Sequence, residues 1–197
     1  MGKLYAELDE RLRKFIARQP VFFVATAPGL GSNGSQGHVN VSPKGCQDTF
    51  AVVGPRTVAY LDLTGSGAET IAHVQQNGRI TIMFCSFSHE TKVVRLYGTG
   101  TVVLPGSPRW DELALHFPRT ADRSAELRSQ RAIIVVDLER IADSCGYAVP
   151  EMTLTGERDV LDRWASSKTA SELAAYRAEK NSVSIDGLPG LEPARMR

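Results

Sequence analysis

The chain has 197 residues, of which 23 are basic and 22 acidic, for a net charge of +1; this leaves no electrostatic footprint for nucleic acid or an anionic membrane. One core can bury roughly 70% of the unfolded surface at this length, and the three cysteines, Cys46, Cys85 and Cys145, have neither the number of a disulfide framework nor the C-x-x-C spacing of a zinc site. No apolar run approaches the ~20 residues that span a bilayer and no charged-then-apolar leader is recognisable, so a cytoplasmic location is expected.

In chain order, Leu4, Leu8, Leu12 and Phe15-Ile16 recur at helical spacing up to Pro20, which predicts an amphipathic helix over residues 4–19. Val21-Phe-Phe-Val-Ala-Thr-Ala27 reads as a buried strand. Gly29-Leu-Gly31-Ser-Asn-Gly34 matches a dinucleotide-binding glycine pattern, but the polar, then alternating Ser35 to Val41 that follows is a return strand, not the helix such a pattern requires. Ser42-Pro-Lys-Gly45 is expected to break that strand and hold Lys44 on a turn. Phe50 to Val53 and Thr57 to Asp62 are further strands.

The glycine turn Thr64-Gly-Ser-Gly-Ala-Glu-Thr70 leads into a short helix at Ile71-Ala-His-Val74. The first turn of a helix carries unpaired N–H groups and partial positive charge, which favour a phosphate. Ser66-Gly-Ala-Glu69 equally fits a capping box, in which the side chains satisfy those groups themselves. Sequence alone leaves both readings open.

Arg79 to Cys85 and Lys92 to Tyr97 form a hairpin rich in β-branched and aromatic residues. Arg95 sits in this apolar setting and must snorkel or find a partner. Gly98-Thr-Gly100 marks a bulge, Pro108 opens a helix over 109–117, and Arg131 to Asp137 is the last strong strand. Cys145, with no activating neighbour in evident reach, reads as an inert packing cysteine. Two helical stripes follow, at Val160, Leu161 and Trp164 and at Leu173 and Tyr176, and Asp186-Gly-Leu-Pro-Gly190 is expected to end the ordered chain. The closely spaced strands point to a small barrel with flanking helices, residues 1–150, and a helical extension, 151–197.

With these elements placed, Phe22 to Thr26, His38-Val-Asn-Val-Ser-Pro-Lys-Gly45, Tyr60-Leu-Asp-Leu-Thr-Gly-Ser-Gly-Ala-Glu-Thr70, Asn77 to Phe84 and Arg95-Leu-Tyr-Gly98 resemble the pyridoxamine 5'-phosphate oxidase-like flavoproteins of the FMN-binding split-barrel superfamily. The resemblance spans roughly residues 15 to 140. It implies a mainly β, α+β fold built on a six-stranded antiparallel split barrel, and a homodimer whose two protomers build each FMN site. On this chain Val39, Asn40, Val41 and Ser42 would run along the flavin ring and ribityl chain, with Tyr60, Leu61 and Asp62 across from them. Ser66, Gly67, Glu69 and Thr70 fall where the phosphate is expected, and Lys44 or Arg95 would balance its charge.

Two departures stand out. The oxidases carry an Arg-Lys pair near the phosphate turn, where this chain has Gly67-Ala-Glu-Thr70, and the spacing of Trp164 and Arg177 does not reproduce their C-terminal substrate pattern. The resemblance implies an FMN-dependent oxidoreductase acting on a small-molecule substrate or electron donor that the sequence does not name, and the two departures move pyridoxamine phosphate out of the leading place. A non-catalytic flavin- or haem-binding module and a deazaflavin-dependent reductase are the alternatives.

Overall fold

The computed structural model describes residues 2–31, 36–45, 47–118 and 129–191. Cys46, the Ser32 to Ser35 stretch of the glycine loop and most of the polar connection after α3 lie outside the described residues. The strands are β1 (Leu4–Tyr5), β2 (Val21–Thr26), β3 (Asn40–Gly45), β4 (Phe50–Val52), β5 (Thr57–Leu63), β6 (Arg79–Cys85), β7 (Val93–Val103) and β8 (Gln130–Ser144). The helices are α1 (Glu10–Ala17), α2 (Glu69–Asn77), α3 (Pro108–Ala114), α4 (Val160–Ser166) and α5 (Ala170–Lys180).

All the strand pairs are antiparallel, in the order β3-β2-β6-β7-β8-β5-β4, with β1 added on β8. Among the described residues the sheet thus has eight strands rather than the six implied by the resemblance; Phe50 to Val52 is a strand as expected, and β1 is the one with no counterpart in the sequence reading. Its two ends, β3 and β4, do not pair, and the gap between them is the seam of the split barrel. Even-numbered residues of β2, β5 and β8, among them Phe22, Val24, Tyr60 and Ile134, fill the interior. A second cluster, Leu61, Ile133, Trp110, Leu113 and Phe117, seals α3 onto the outside.

Several boundaries differ from the sequence reading. The helix expected over 4–19 begins only at Glu10, because Asp9 caps it by accepting from Leu12 N–H at 2.8 Å; Leu4 and Tyr5 instead pair with Ala142 and Ile141. Pro43 does not break its strand. It lies opposite Phe23 in β3, an edge strand that can lack a ladder donor on its open side. The last strand runs on to Ser144 and α3 stops at Ala114, short of the expected end. The expected bulge is present as a register shift between Tyr97 and Gly98, where a side chain on Gly98 would collide with the backbone of Asp137 and Leu138. Cys145 is exposed rather than packed inside, and Cys85 is the buried thiol.

The chain does not end its order at residue 186 to 190. After α5, Val183 pairs back on Pro189 and Leu191 enters the barrel core. Asp186 holds His38 through the backbone N–H and through Nδ1, each at 2.7 Å. The C-terminal extension is thereby laid against α2 and the loop before β3.

Candidate functional site

The site is built where β5 runs out. A register shift after Asp62, which pairs with Ala132 while Leu63 pairs with Gln130, leaves Arg131 as the extra residue on β8 and lets its side chain turn inward to Asp62. Asp62 is fully buried, and its Oδ1 accepts from Lys44 Nζ at 2.8 Å while its Oδ2 accepts from Arg131 Nε at 2.7 Å. Burial alone would push this carboxyl up; the two cations outweigh it and hold it below the ordinary aspartate range.

Beyond Asp62 the turn at residues 64–68 is gripped from two sides. Arg131 Nη1 donates to Gly67 O at 2.7 Å and Gly65 O at 3.4 Å, and Asn181 Nδ2, from the extension, donates to the same carbonyls at 3.4 and 2.8 Å. Arg177 adds Nε to Thr64 Oγ1 at 3.0 Å, and its proximity to Arg131 adds to burial in lowering its pKa. With the carbonyls tied back, α2 starts at Glu69 behind Ala68, whose side chain makes no capping bond. The capping box does not form. Ser66 is exposed on the turn, and Glu69 Oε1 accepts instead from Ile185 N–H at 3.2 Å.

A pocket of about 150 Å³ opens at this uncapped helix start, lined by Ser42, Lys44, Gly65, Gly67, Thr70 and Arg131, with Glu69 and Leu63 completing the wall. Asn40 Nδ2 donates to Thr70 Oγ1 at 3.1 Å and to Ser42 Oγ at 3.2 Å, so β3 and α2 are tied together at its edge. Asn40, Ser42, Lys44, Asp62, Gly67, Glu69 and Thr70 of the expected set therefore converge.

The others do not. Tyr60 is wholly buried among the barrel aromatics, with Lys44 Nζ 5.9 Å from its ring, and Leu61 packs in the outer cluster with α3. Val39 and Val41 are exposed, alternating with Asn40 and Ser42, and Val39 lines a separate groove with Ala25, Thr81 and Tyr97. Arg95 Nη1 donates to Ser144 Oγ at 3.0 Å, away from the turn. Arg131, Arg177 and Asn181 are not among the residues that the sequence singles out for the site. Arg131 carries a signal nonetheless: a guanidinium heading an apolar strand needs an anion as much as Arg95 does.

This architecture, an antiparallel barrel split at a seam with an anion-sized pocket at a helix N-terminus beside it, is that of a split-barrel protein. A family model described as pyridoxamine 5'-phosphate oxidase matches residues 8–145, and the chain belongs to that family. It is 41% identical over 208 residues to the pyridoxamine 5'-phosphate oxidase family protein ustO of Aspergillus flavus, a match covering 98% of this chain and 80% of that protein. Solved structures that share the fold include the following two. One, described as a putative pyridoxamine 5'-phosphate oxidase from Lactobacillus delbrueckii, is 17% identical with a TM-score of 0.51, over 72% of this chain and 98% of the other. The second, a variant of HupZ from Group A Streptococcus, is 21% identical with a TM-score of 0.50, over 70% and 99%.

Proposed function

We propose that this protein binds FMN and works as a homodimeric flavin-dependent oxidoreductase. The observation that carries the reading is the pocket at the start of α2, where Lys44 and Arg131 meet helix N–H groups that no side chain caps. At about 150 Å³ it fits a phosphate and the first atoms of a polyol chain, with the rest of a flavin outside it. Lys44, Arg131, Thr70 and the Gly65 to Gly67 backbone would hold the phosphate. Asn40 and Ser42 offer polar atoms for the ribityl chain. The exposed Val39 and Val41 supply apolar surface for the ring and, with the open edge of β3, a face for a second protomer.

Bound flavin would supply two-electron chemistry with a small-molecule donor, the protein contributing orientation and electrostatics. Asp62 keeps Lys44 and Arg131 charged and fixed in place, and Asn181 keeps the turn's carbonyls directed away from the ligand.

The test is a flavin titration followed by fluorescence quenching. FMN should bind about tenfold or more tightly than riboflavin, the difference expected of charge-assisted bonds to a phosphate. Lys44→Met should remove most of that preference. Equal affinity for the two flavins would place the phosphate elsewhere, and a protein that takes up neither would end the flavin reading. Light scattering of the loaded protein should give twice the chain mass, and stopped-flow mixing with NADH or NADPH should bleach the flavin faster than free FMN.

A further inference from the structure

A second cavity, of about 300 Å³, shares no lining residue with the pocket at α2, although Phe22 on its floor lies opposite Lys44 in the β2–β3 ladder. It exists because two elements stop short. Helix α1 ends at Ala17, three residues before Pro20, and β4 is only three residues long, so neither closes the space that the two leave between them. Its floor is the buried rings of Phe22 and Phe84, and Phe50 and Val52 of β4 form one wall, with Ile16 and Ala17 of α1 opposite. Phe50 stands edge-on to both floor rings, with centroids 5.1 Å from Phe22 and 5.0 Å from Phe84. Phe50, the half-buried ring of the three, is the one that presents surface to a flat apolar guest, while Phe22 and Phe84, 3% and 1% exposed, close the floor beneath it.

The rim carries one charged residue. Arg13 is half-buried, and its guanidinium is fixed by Nε to Leu8 O at 2.9 Å and Nη2 to Gly54 O at 3.1 Å. Both partners are neutral carbonyls, and among the described residues no carboxylate stands within ion-pair distance of it. Two bonds leave donors of the five N–H groups unspent, on a side chain that is already ordered and so loses little freedom on binding. Gln19, the other polar lining residue, donates its Nε2 to Phe15 O at 2.8 Å.

We propose that this cavity is a binding site for a small aromatic monocarboxylate, the ring against Phe22, Phe50 and Phe84 and the carboxylate on Arg13. The volume is about twice that of an engineered apolar cavity that takes up benzene and sits at the lower end of ligand pockets. It suits one ring with a short acid arm. The single positive charge selects an anion over a neutral or cationic analogue of the same shape. The assignment is independent of flavin binding.

Titrating the full-length protein with 3-phenylpropionate and with its amide, followed by calorimetry and by the aromatic NMR signals, tests this. The acid should bind saturably and about tenfold more tightly than the amide, the worth of a hydrogen bond to a charged group. Arg13→Gln should erase that preference. Because Arg13 also ties α1 to the turn at Gly54, a second variant is needed: Ala17→Trp, at an exposed rim position, should block the mouth and abolish binding with the fold intact. Absence of saturable binding, equal affinity for acid and amide, unchanged binding in Ala17→Trp, or displacement of the acid by FMN would each overturn the assignment.

Discussion

Lys44 and Asp62 meet at 2.8 Å across the barrel seam, joining the edge strand β3 to the part of β5 that β4 does not reach. Arg131 completes the group from β8. One buried carboxylate thus serves two cations, and removing its charge leaves both without a counter-ion. Asp62→Asn should cost about 3–5 kcal/mol in urea unfolding, the range for breaking a buried ion pair from one side. Since the folded carboxyl lies below its unfolded value, the unfolded chain takes up the proton first as pH falls. The contribution is complete above about pH 4 and lost below it. The Asp62→Asn protein should lack this part of the acid transition.

His73 carries the opposite kind of group. It is fully buried on α2, with Nδ1 3.0 Å from Thr26 Oγ1 and with no hydrogen-bond partner for Nε2 among the described residues. Burial lowers its pKa, against the pull of Asp186 and Glu69 toward the charged form. A histidine whose folded pKa is depressed contributes fully above the unfolded value of about 6.5 and loses that contribution as pH falls toward the folded value. Urea midpoints at pH 7.5 and 5.5 should therefore differ more in the native protein than in His73→Gln, where the residue does not titrate.

Glu69 is the acid that stands where the oxidases bring a cation. It lines the pocket that the phosphate is proposed to fill, while its Oε1 is engaged by the N–H of Ile185. Glu69→Gln keeps an acceptor for that N–H and removes the like charge facing a phosphate. At an effective dielectric near 20 a unit charge several ångströms away is worth a few kcal/mol before screening. FMN affinity should rise by about tenfold, with riboflavin affinity unchanged. A parallel rise for both flavins would mean that the carboxylate acts on the ring or on packing instead.

These residues also show where the sequence was readable. Strand periodicity locates β2, β5, β6, β7 and the start of β8, and the glycine turn marks the beginning of α2, because those signals are local. Whether Ser66 and Glu69 cap that helix is not local: Ile185, more than a hundred residues on, supplies the N–H that Glu69 takes. That the anion Arg131 needs is Asp62, inside the barrel, is hidden for a related reason. In regular alternation the arginine side chain would follow Ile133 and Val135 into the outer cluster with α3, and only the register shift after Asp62 turns it inward. Lys44 was recognisable as a candidate cation, but its partner depends on a seam that no periodicity encodes. The extension looked like a tail because Asp186-Gly-Leu-Pro-Gly190 has turn composition, yet that turn is what returns Leu191 to the core.

The extension's hold on the site gives the last prediction. Asn181 is fully buried; its Nδ2 reaches Gly65 O and Gly67 O, the carbonyls that Arg131 also holds, and its Oδ1 has no partner among the described residues. Asn181→Ala removes the donor on the outer side and leaves Arg131 alone to orient the turn. The lost buried bonds should cost about 1–3 kcal/mol in unfolding free energy. More tellingly, amide hydrogen exchange over residues 64–70 should quicken while exchange in β6 and β7 stays unchanged under native conditions, since the turn opens locally and those strands do not. FMN should then lose more affinity than riboflavin, because a turn free to rotate no longer presents its N–H groups to a phosphate. If exchange rises evenly across the barrel, Asn181 supports the fold as a whole rather than the turn. If the turn loosens and both flavins weaken alike, the phosphate does not sit on it.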